Sequence, residues 1–284
     1  MSDASPEAGS DGPPEEVGPP MTDGSGMTTQ TDKGTILEQL IDQGFEETER
    51  SSLGLALSGL SAGLDIGFGP LLMVAVYTLV SEPWGEPLTT LFVANAYAVG
   101  FIFVVLGRSE LFTEHTTLAA LPVIDGRSSI SGLARLWALV YAGNIVGGAI
   151  FAVPAVLFAP DYGIATPNAF VHLGDTLLGY GNTEFFFAAI LAGWMMGLLA
   201  WLLSAAQETL SRIVFVWVVT AAIGLLHLPH SIAGNVEIIM AVLAGPKYGL
   251  VDYVVFLGLS TAGNAVGGVV FVALLKYGHI AVSR

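Results

Sequence analysis

The sequence predicts an all-α membrane protein in which three plus three transmembrane helices form an inverted repeat, with spans 2 and 5 broken at mid-membrane. Three observations predict this fold. The 284 residues are 53% apolar and only 12% charged, with a mean hydropathy of +0.70, whereas soluble domains carry about 25% charged residues. Six apolar stretches are long enough to cross a bilayer. One glycine-rich motif occurs twice at a fixed spacing.

Composition also excludes several classes of protein. Nine Lys and Arg residues stand against 24 Asp and Glu residues, so the chain offers no basic patch for a nucleic acid. It contains no cysteine, which excludes disulfides, a thiol nucleophile and Cys-based metal sites.

The chain divides into four segments. Residues 1–34 are rich in Pro, Gly, Ser, Thr and acidic side chains, and we expect a disordered acidic tail because so few apolar groups cannot offset the ordering entropy. Residues 35–50 place apolar side chains at 36, 37, 40, 41 and roughly 45, which predicts an amphipathic cytoplasmic helix. That helix either packs against the membrane domain or covers a pore mouth. Residues 51–279 form the six-span domain, and 280–284 form a short cytoplasmic C-terminus.

The six spans are placed at about 53–80, 89–124, 131–158, 184–206, 211–244 and 253–276. If they alternate in direction, seven positive residues fall on one side: Lys33, Arg50, Arg127, Arg135, Arg212, Lys276 and Arg284. The opposite loops carry only Lys247. By the positive-inside rule, both termini are expected in the cytoplasm.

The repeated motif defines two halves. Residues 143–151 and 263–271 share the pattern GNxVGGxxF at an offset of 120 residues. Each copy lies in the third span of its half. Because three is an odd number of spans, the second half must be inverted relative to the first.

The same offset aligns two polar interruptions, residues 107–115 in span 2 and 227–235 in span 5. Pro229 cannot continue a helix, and paired broken helices at membrane depth mark a substrate site. Half-helix N-termini carry partial positive charge and free N–H groups, which favour an anion.

Several side chains near these interruptions have two interpretations. Arg108 either pairs with Glu110 or Glu114 or raises the local potential for an anion. His230 can donate, accept and exchange a proton, and we interpret it as functional. The aromatic residues Tyr97 and Phe101, spaced i and i+4, and Phe112 are either helix packing or hydrophobic constrictions.

With these residues identified, the sequence resembles the formate/nitrite transporter family. The resemblance rests on Glu110-Leu111-Phe112-Thr113, Gly143-Asn144, His230-Ser231-Ile232-Ala233 and Gly263-Asn264, and it covers about residues 53–276. It implies an aquaporin-like fold, a homopentamer with one pore per protomer, and passage of small monovalent anions such as formate, nitrite or hydrosulfide. It also implies that Leu111, Phe112 and Thr113 line a cytoplasmic constriction, that His230 is the central histidine and that Asn264 is the span 6 asparagine.

Three features depart from the family pattern. Gly234 separates the histidine motif from Asn235, the stretch 113–117 is unusually polar, and Arg108 is additional. These features indicate a less characterised branch of the family and bear on the substrate more than on the fold.

The resulting hypothesis is a proton-linked transporter in the cell membrane, with no enzymatic activity, cofactor or metal. An anion reaches His230, takes a proton directly or through water, and passes the constriction as the neutral acid. Its partners are small monovalent anions, protons, the lipid bilayer and identical subunits, with no nucleic acid. The residues expected along the pathway are Tyr97, Phe101, Arg108, Leu111, Phe112, Thr113, His230, Asn235 and Asn264.

Three alternatives remain at this point. A water or small-solute channel is disfavoured because the sequence has no Asn-Pro-Ala pair. An intramembrane metal site would draw on His115, His227, His230, Glu114 and Glu237. A membrane scaffold would use the acidic tail to recruit partners.

Overall fold

Helices build the described part of the chain, which in the computed structural model comprises residues 32–282 and contains no strand. In order, they are α1 (Lys33–Glu49), α2 (Ser52–Ile66), α3 (Phe68–Gly107), α4 (Phe112–Leu118), α5 (Ala120–Ile124), α6 (Ile130–Phe158), α7 (Pro167–Leu178), α8 (Asn182–Ala205), α9 (Thr209–Leu225), α10 (Ser231–Ala244), α11 (Leu250–Gly268), a π-helical segment (Val269–Leu274) and α12 (Leu275–Ala281). The predicted acidic tail lies almost wholly outside these residues.

The membrane-spanning helices follow the predicted layout. Three helical segments are each long and apolar enough to cross a membrane, namely Ile130–Phe158, Asn182–Ala205 and Leu250–Ala281. The 56-residue stretch Ser52–Gly107 supplies two crossings, because the chain turns back at Gly85, where φ is +70°. The remaining crossings are broken, since α3 is followed by the half-helix α4 and α9 by the half-helix α10. The predicted six-span fold with broken spans 2 and 5 is therefore confirmed.

The amphipathic helix α1 packs against the membrane domain. Asp32 caps it by accepting a 2.9 Å hydrogen bond from the Gly34 N–H. Four of the five apolar residues expected on its inner face are buried, namely Ile36, Leu37, Leu40 and Ile41. Phe45 is instead 38% exposed. Its neighbour Gly44 takes the inner position, so close to the Leu118 carbonyl that a Cβ atom there would overlap it.

Two salt bridges hold the outer face of α1. Arg127, in the turn before α6, reaches Glu38 at 2.5 Å and Asp42 at 2.9 Å. We call the side of the bundle that carries α1 the α1 side and the opposite side the distal side.

The glycines of the repeated motif explain how each half packs. Gly143 and Gly147 face α2, where added Cβ atoms would collide with its backbone, and Gly263 and Gly267 face α8 in the same way. Small residues permit this close approach of helices within a bilayer. The first and third helices of each half therefore form a tight pair.

The last glycine of each motif faces a half-helix of the opposite half. A Cβ atom on Gly148 would overlap the Asn235 side chain of α10, and one on Gly268 would overlap Thr116 of α4. Each motif thus packs the first and third helices of its own half together, and it also contacts the half-helix of the other half.

The two breaks align at an offset of 119 residues, not the predicted 120. Arg108 and His227 are the non-glycine residues of positive φ in the described chain, at +55° and +51°. The backbone bonds that end the preceding helices also match, from Ser109 N–H to Val104 C=O and from Leu228 N–H to Ile223 C=O. The motif asparagines keep the offset of 120, so the chain between break and motif differs by one residue in length. A comparison by sequence alone could not locate this difference.

Candidate functional site

Asn264 in α11 fixes the second break. Its side-chain Oδ1 accepts a 2.8 Å hydrogen bond from the Ser231 N–H at the start of α10. Its Nδ2 donates to the carbonyls of Ala189 at 2.7 Å and Pro229 at 2.9 Å. A break at membrane depth leaves backbone groups that water cannot satisfy. The fully buried Asn264 amide satisfies two of them, the Ser231 N–H and the Pro229 carbonyl, and its third bond ties the break to α8.

Asn144 in α6 does the same for the first break. Its Oδ1 accepts from the Phe112 N–H at 2.9 Å. Its Nδ2 donates to the carbonyls of Gly59 at 2.8 Å and Glu110 at 2.9 Å. The bonding pattern matches that of Asn264, with donors and acceptors in equivalent positions. The asparagine of the repeated motif therefore has a structural explanation in both halves.

His230 lies at the centre of the bundle, 1% exposed, as the N-cap residue of α10. Its Nδ1 accepts a 3.2 Å hydrogen bond from the Ala233 N–H, so the ring proton resides on Nε2. Nε2 is 2.7 Å from the hydroxyl of Thr113 on α4 and donates to it. Within the described residues Thr113 Oγ1 makes no other hydrogen bond, so its own proton is available to a solute.

The residue that follows His230 also carries a buried hydroxyl. Ser231 Oγ is buried and has no partner among the described residues. Because buried polar groups are nearly always hydrogen-bonded, this atom marks a place where a polar solute or water would bind. Sequence reasoning quoted Ser231 within a motif but did not select it as a pathway residue.

Aromatic and aliphatic side chains surround the central polar pair. Phe101 is fully buried and contacts the His230 ring edge-on, with ring centroids 5.0 Å apart, and Tyr97 contacts Phe101 at 5.0 Å. Leu111 is fully buried, and Phe112 packs edge-on against Tyr141 at 4.9 Å. Phe101 therefore contacts the site directly, whereas Phe112 is part of the helix packing.

On the α1 side, a cavity of about 470 Å³ opens between α1 and the first break. Its charged and titratable lining residues are Glu46, Glu47, Arg50, Arg108, Glu110, Glu114, His115 and Arg212. The cavity is thus lined by both acidic and basic side chains.

Glu110 is the centre of an ion-pair network at this cavity. One carboxylate oxygen contacts Arg50 Nη1 and the other contacts His115 Nε2. Arg50 in turn contacts Glu47 at 2.7 Å. Sequence reasoning offered an Arg108–Glu110 or Arg108–Glu114 pair as one alternative. Neither pair forms in residues 32–282, and Glu110 is instead paired with Arg50 at the end of α1.

Glu47 on α1 lies outside the spans, and neighbouring groups shift its pKa. Partial burial and the nearby Glu110 carboxylate raise the pKa of Glu47, although its contact with Arg50 opposes them. The carboxylates of Glu47 and Glu110 therefore share the guanidinium of Arg50.

On the distal side, His227 occupies the position equivalent to Arg108 and lines two smaller pockets, one of them together with His172.

Asn235 does not contact His230. Its Oδ1 accepts a 2.6 Å hydrogen bond from the Tyr253 hydroxyl, and its Nδ2 donates to the Ile145 carbonyl at 3.4 Å. In residues 32–282, no three His, Asp or Glu side chains converge in a way that could hold a metal ion.

The structure thus brings His230, Thr113 and Phe101 together, with Tyr97 behind them. It places Asn264 and Asn235 in contact with backbone and Arg108 in the α1-side cavity. Sequence reasoning missed Asn144 as a site-forming residue, although the repeat itself contained the signal, since whatever Asn264 does Asn144 must do in the other half.

The fold combines inverted helix triplets, paired half-helices and a buried polar centre between the α1-side cavity and the smaller distal pockets. These features define a membrane transport protein of the channel type. The fold agrees with that of two solved structures. The chain superposes on a structure titled "FNT family ion channel" with a TM-score of 0.77 at 22% identity, covering 87% of this chain and 99% of that one. It superposes on a "Pentameric formate channel with formate bound" with a TM-score of 0.70 at 23% identity, covering 81% and 98%.

The chain belongs to the formate/nitrite transporter family, whose sequence profile matches residues 34–278. It is 34% identical over 248 residues to "Inner membrane protein YfdC" of Escherichia coli, covering 86% of this chain and 78% of that protein. It is 29% identical over 253 residues to a "Probable formate transporter" of Methanothermobacter thermautotrophicus, covering 82% and 91%. It is 27% identical over 239 residues to "Nitrite transporter NirC" of Salmonella typhimurium, covering 78% and 81%. The family resemblance stated from the motifs is confirmed.

Proposed function

We propose that this protein conducts small monovalent anions of weak acids, formate or nitrite, across the cell membrane together with a proton. It acts as a transporter and carries out no enzymatic reaction. Family membership supports the class of solute, since relatives are named as formate and nitrite transporters. The observation that carries the proposal is the buried His230–Thr113 hydrogen bond between the two half-helices.

Energetics favour passage of the neutral acid. Moving a small ion into a low-dielectric interior costs on the order of 20 kcal/mol. Protonating a carboxylate of ordinary pKa near 4 at neutral pH costs roughly 4 kcal/mol. Protonation is therefore the cheaper route through a constriction built from Phe101 and Leu111.

The central pair supplies a hydrogen-bond donor without supplying a permanent charge. Because Nδ1 of His230 accepts the Ala233 N–H, the imidazole is neutral and Nε2 donates to Thr113. Thr113 then donates its hydroxyl proton to an arriving anion, and Ser231 Oγ offers a second hydroxyl. The proton that neutralises the anion comes from water, so that an anion and a hydronium ion become a neutral acid and a water molecule.

The other predicted residues take supporting roles. Tyr97, Phe101 and Leu111 form the apolar wall that excludes hydrated ions, whereas Phe112 packs against Tyr141 and holds α4 in place. Asn264 and Asn235 position the second half-helix. We assign Arg108 to the recruitment of anions into the α1-side vestibule, because its guanidinium forms no ion pair within the described residues.

Arg108 offers a direct test of that assignment. A non-glycine residue with a φ of +55° is strained, at a cost of about 1–3 kcal/mol, so Arg108→Gly relieves strain while it removes the charge. We expect unchanged or higher thermal stability and an anion flux from the α1 side that is lower by about threefold. Unchanged flux would show that Arg108 only ends α3.

Orientation and assembly complete the proposal. The excess of Lys and Arg on the α1 side supports a cytoplasmic location for that side and for both termini. A related structure is titled a pentameric formate channel, and the exposed apolar faces of the spans suit a homopentamer within lipid. Native mass spectrometry from lipid nanodiscs tests the subunit number.

Two substitutions at His230 test the central role. His230→Asn retains a side-chain oxygen that can cap α10 but removes the donor to Thr113, whereas His230→Phe removes both. In proteoliposomes we expect both variants to lower formate and nitrite flux by about tenfold or more and to abolish its acceleration at low external pH. Equal flux through wild type and His230→Asn would refute the role of the imidazole.

The same vesicles distinguish the alternative of a water or small neutral solute channel. Osmotic shrinkage in sucrose reports water flow, and glycerol uptake reports neutral solutes. Rapid water or glycerol movement with no formate or nitrite flux would favour that alternative over anion transport.

A further inference from the structure

The α1-side cavity contains a titratable group that the central site does not use. His115 lies on α4, two residues after Thr113, is 1% exposed and lines the cavity of about 470 Å³. Its Nε2 contacts Glu110. Its Nδ1 is buried and has no hydrogen-bond partner among the described residues.

The surrounding contacts determine what this Nδ1 atom can do. The Glu110 carboxylate is bound to Arg50 through its other oxygen, which favours its charged form. A charged carboxylate only accepts hydrogen bonds, so Nε2 of His115 carries a proton and donates it. In the neutral ring Nδ1 then carries a lone pair, and this lone pair is the orphaned acceptor.

An orphaned acceptor on a side chain that lines a polar cavity indicates a missing donor. A buried polar group without a partner costs about 1–3 kcal/mol. The O–H group of a neutral weak acid emerging from the constriction would satisfy it. The resulting anion would lie in a vestibule that also contains the guanidinium groups of Arg108 and Arg212.

We propose that this cavity is a second binding site for the transported weak acid, in which His115 Nδ1 removes the proton that the solute took up before the constriction. The O–H bond of the acid breaks, an N–H bond forms at Nδ1, and the products are the anion and an imidazolium hydrogen-bonded to Glu110. The imidazolium later passes its proton to bulk water. This inference rests on the proposed function, since it deepens the path of the same solute.

Every charged group that faces His115 affects the equilibrium between its neutral and protonated imidazole. Glu114 is adjacent to His115 in sequence and Glu110 comes five residues before it. The other charged groups are Glu46 and Glu47 on α1, Arg50 just after α1, Arg108 at the end of α3 and Arg212 on α9. Glu47 and Glu110 both contact Arg50. Glu114 and Glu46 add negative charge, which favours the imidazolium once it has formed.

Two variants separate proton transfer from a structural role. The amide nitrogen of His115→Gln can take the place of Nε2 and keep the contact with Glu110 while it removes the titratable Nδ1. His115→Asn places its amide near Nδ1 and breaks the contact with Glu110. His279→Gln on α12, a histidine outside the cavity lining, serves as the matched control.

The experiment uses full-length protein in right-side-out and inside-out membrane vesicles, with radiolabelled formate as the probe. In wild type and His279→Gln we expect the initial rate to depend on the pH of the α1-side bath by about threefold or more across the range near neutrality in which histidine titrates. His115→Gln should abolish that dependence and leave the response to distal-side pH unchanged. Size-exclusion chromatography checks that each variant assembles.

Two outcomes would overturn the inference. One is an α1-side pH profile of His115→Gln that coincides with that of wild type. The other is an equal loss of rate from both sides in His115→Gln and His115→Asn with the pH profiles intact, which would show that His115 is a structural link. Absence of formate flux in wild type would instead refute the proposed function itself, so the two failures are distinguishable.

Discussion

Removal of the amide of Asn264 should destabilise the fold by a calculable amount. Asn264→Ala deletes three buried hydrogen bonds, one to the Ser231 N–H and two to the carbonyls of Ala189 and Pro229. Side-chain hydrogen bonds in membrane proteins average about 0.6 kcal/mol each, and those in soluble proteins reach about 1.5 kcal/mol. The expected loss in free energy of unfolding is therefore about 2–4.5 kcal/mol.

The internal repeat provides a second measurement of the same quantity. Asn144→Ala also deletes three buried hydrogen bonds in equivalent positions, so the two losses should agree within about 1 kcal/mol. Asn168, exposed at the start of α7, supplies the control. Its replacement by Ala should change the free energy by no more than about 0.5 kcal/mol.

The assay is unfolding of the detergent-solubilised protein by increasing sodium dodecyl sulfate, followed by circular dichroism. A loss below about 1 kcal/mol for Asn264→Ala would refute the reasoning, because it would mean that the break satisfies its backbone without this side chain. A large loss for Asn264→Ala with none for Asn144→Ala would refute the structural equivalence of the two halves.

Two further predictions concern the two faces of the bundle. Gly44→Ala places a Cβ atom against the α4 backbone, so we expect α1 to undock and to be cleaved faster in limited proteolysis, whereas Gly258→Ala, which meets open space, should behave as wild type. On the distal side, Asp175 is partly desolvated, yet hydrogen bonds from Lys247 and Tyr248 lower its pKa. Because the folded-state pKa lies below the unfolded value of 3.8, the stabilisation is present above that value and is lost as pH falls through the folded-state pKa. Detergent unfolding of wild type and Asp175→Asn should therefore differ near neutral pH and converge in strong acid, and a constant difference would contradict the assignment.

The sequence could predict the fold because its signals were long and repeated. Apolar stretches identified the spans, and the two GNxVGGxxF motifs identified the inverted halves. Their physical cause is now visible, since the glycines admit neighbouring helices and the asparagines satisfy broken backbone. Patterns of this kind depend on residue type alone, so they can be read without coordinates.

The details of the site depended on contacts between distant residues, which the sequence does not encode locally. Glu110 pairs with Arg50, sixty positions earlier, so the local search for a partner favoured Arg108. The offset of the breaks was wrong by one residue, because a length difference between break and motif leaves both motifs unchanged. The side chain of Asn264 turned out to bind backbone, which its family resemblance alone did not reveal.

The offset of 119 residues has a directional consequence. Leu111 and His230 occupy equivalent positions just before the two half-helices. The duplicated fold therefore has two such positions, of which one carries an imidazole and the other an isobutyl group. In the proposed pathway, a solute that moves in either direction meets the same central imidazole, that of His230. Any difference between flow in the two directions must then originate at the two ends of the pathway, where the equivalent residues differ in chemistry, a guanidinium at Arg108 and an imidazole at His227.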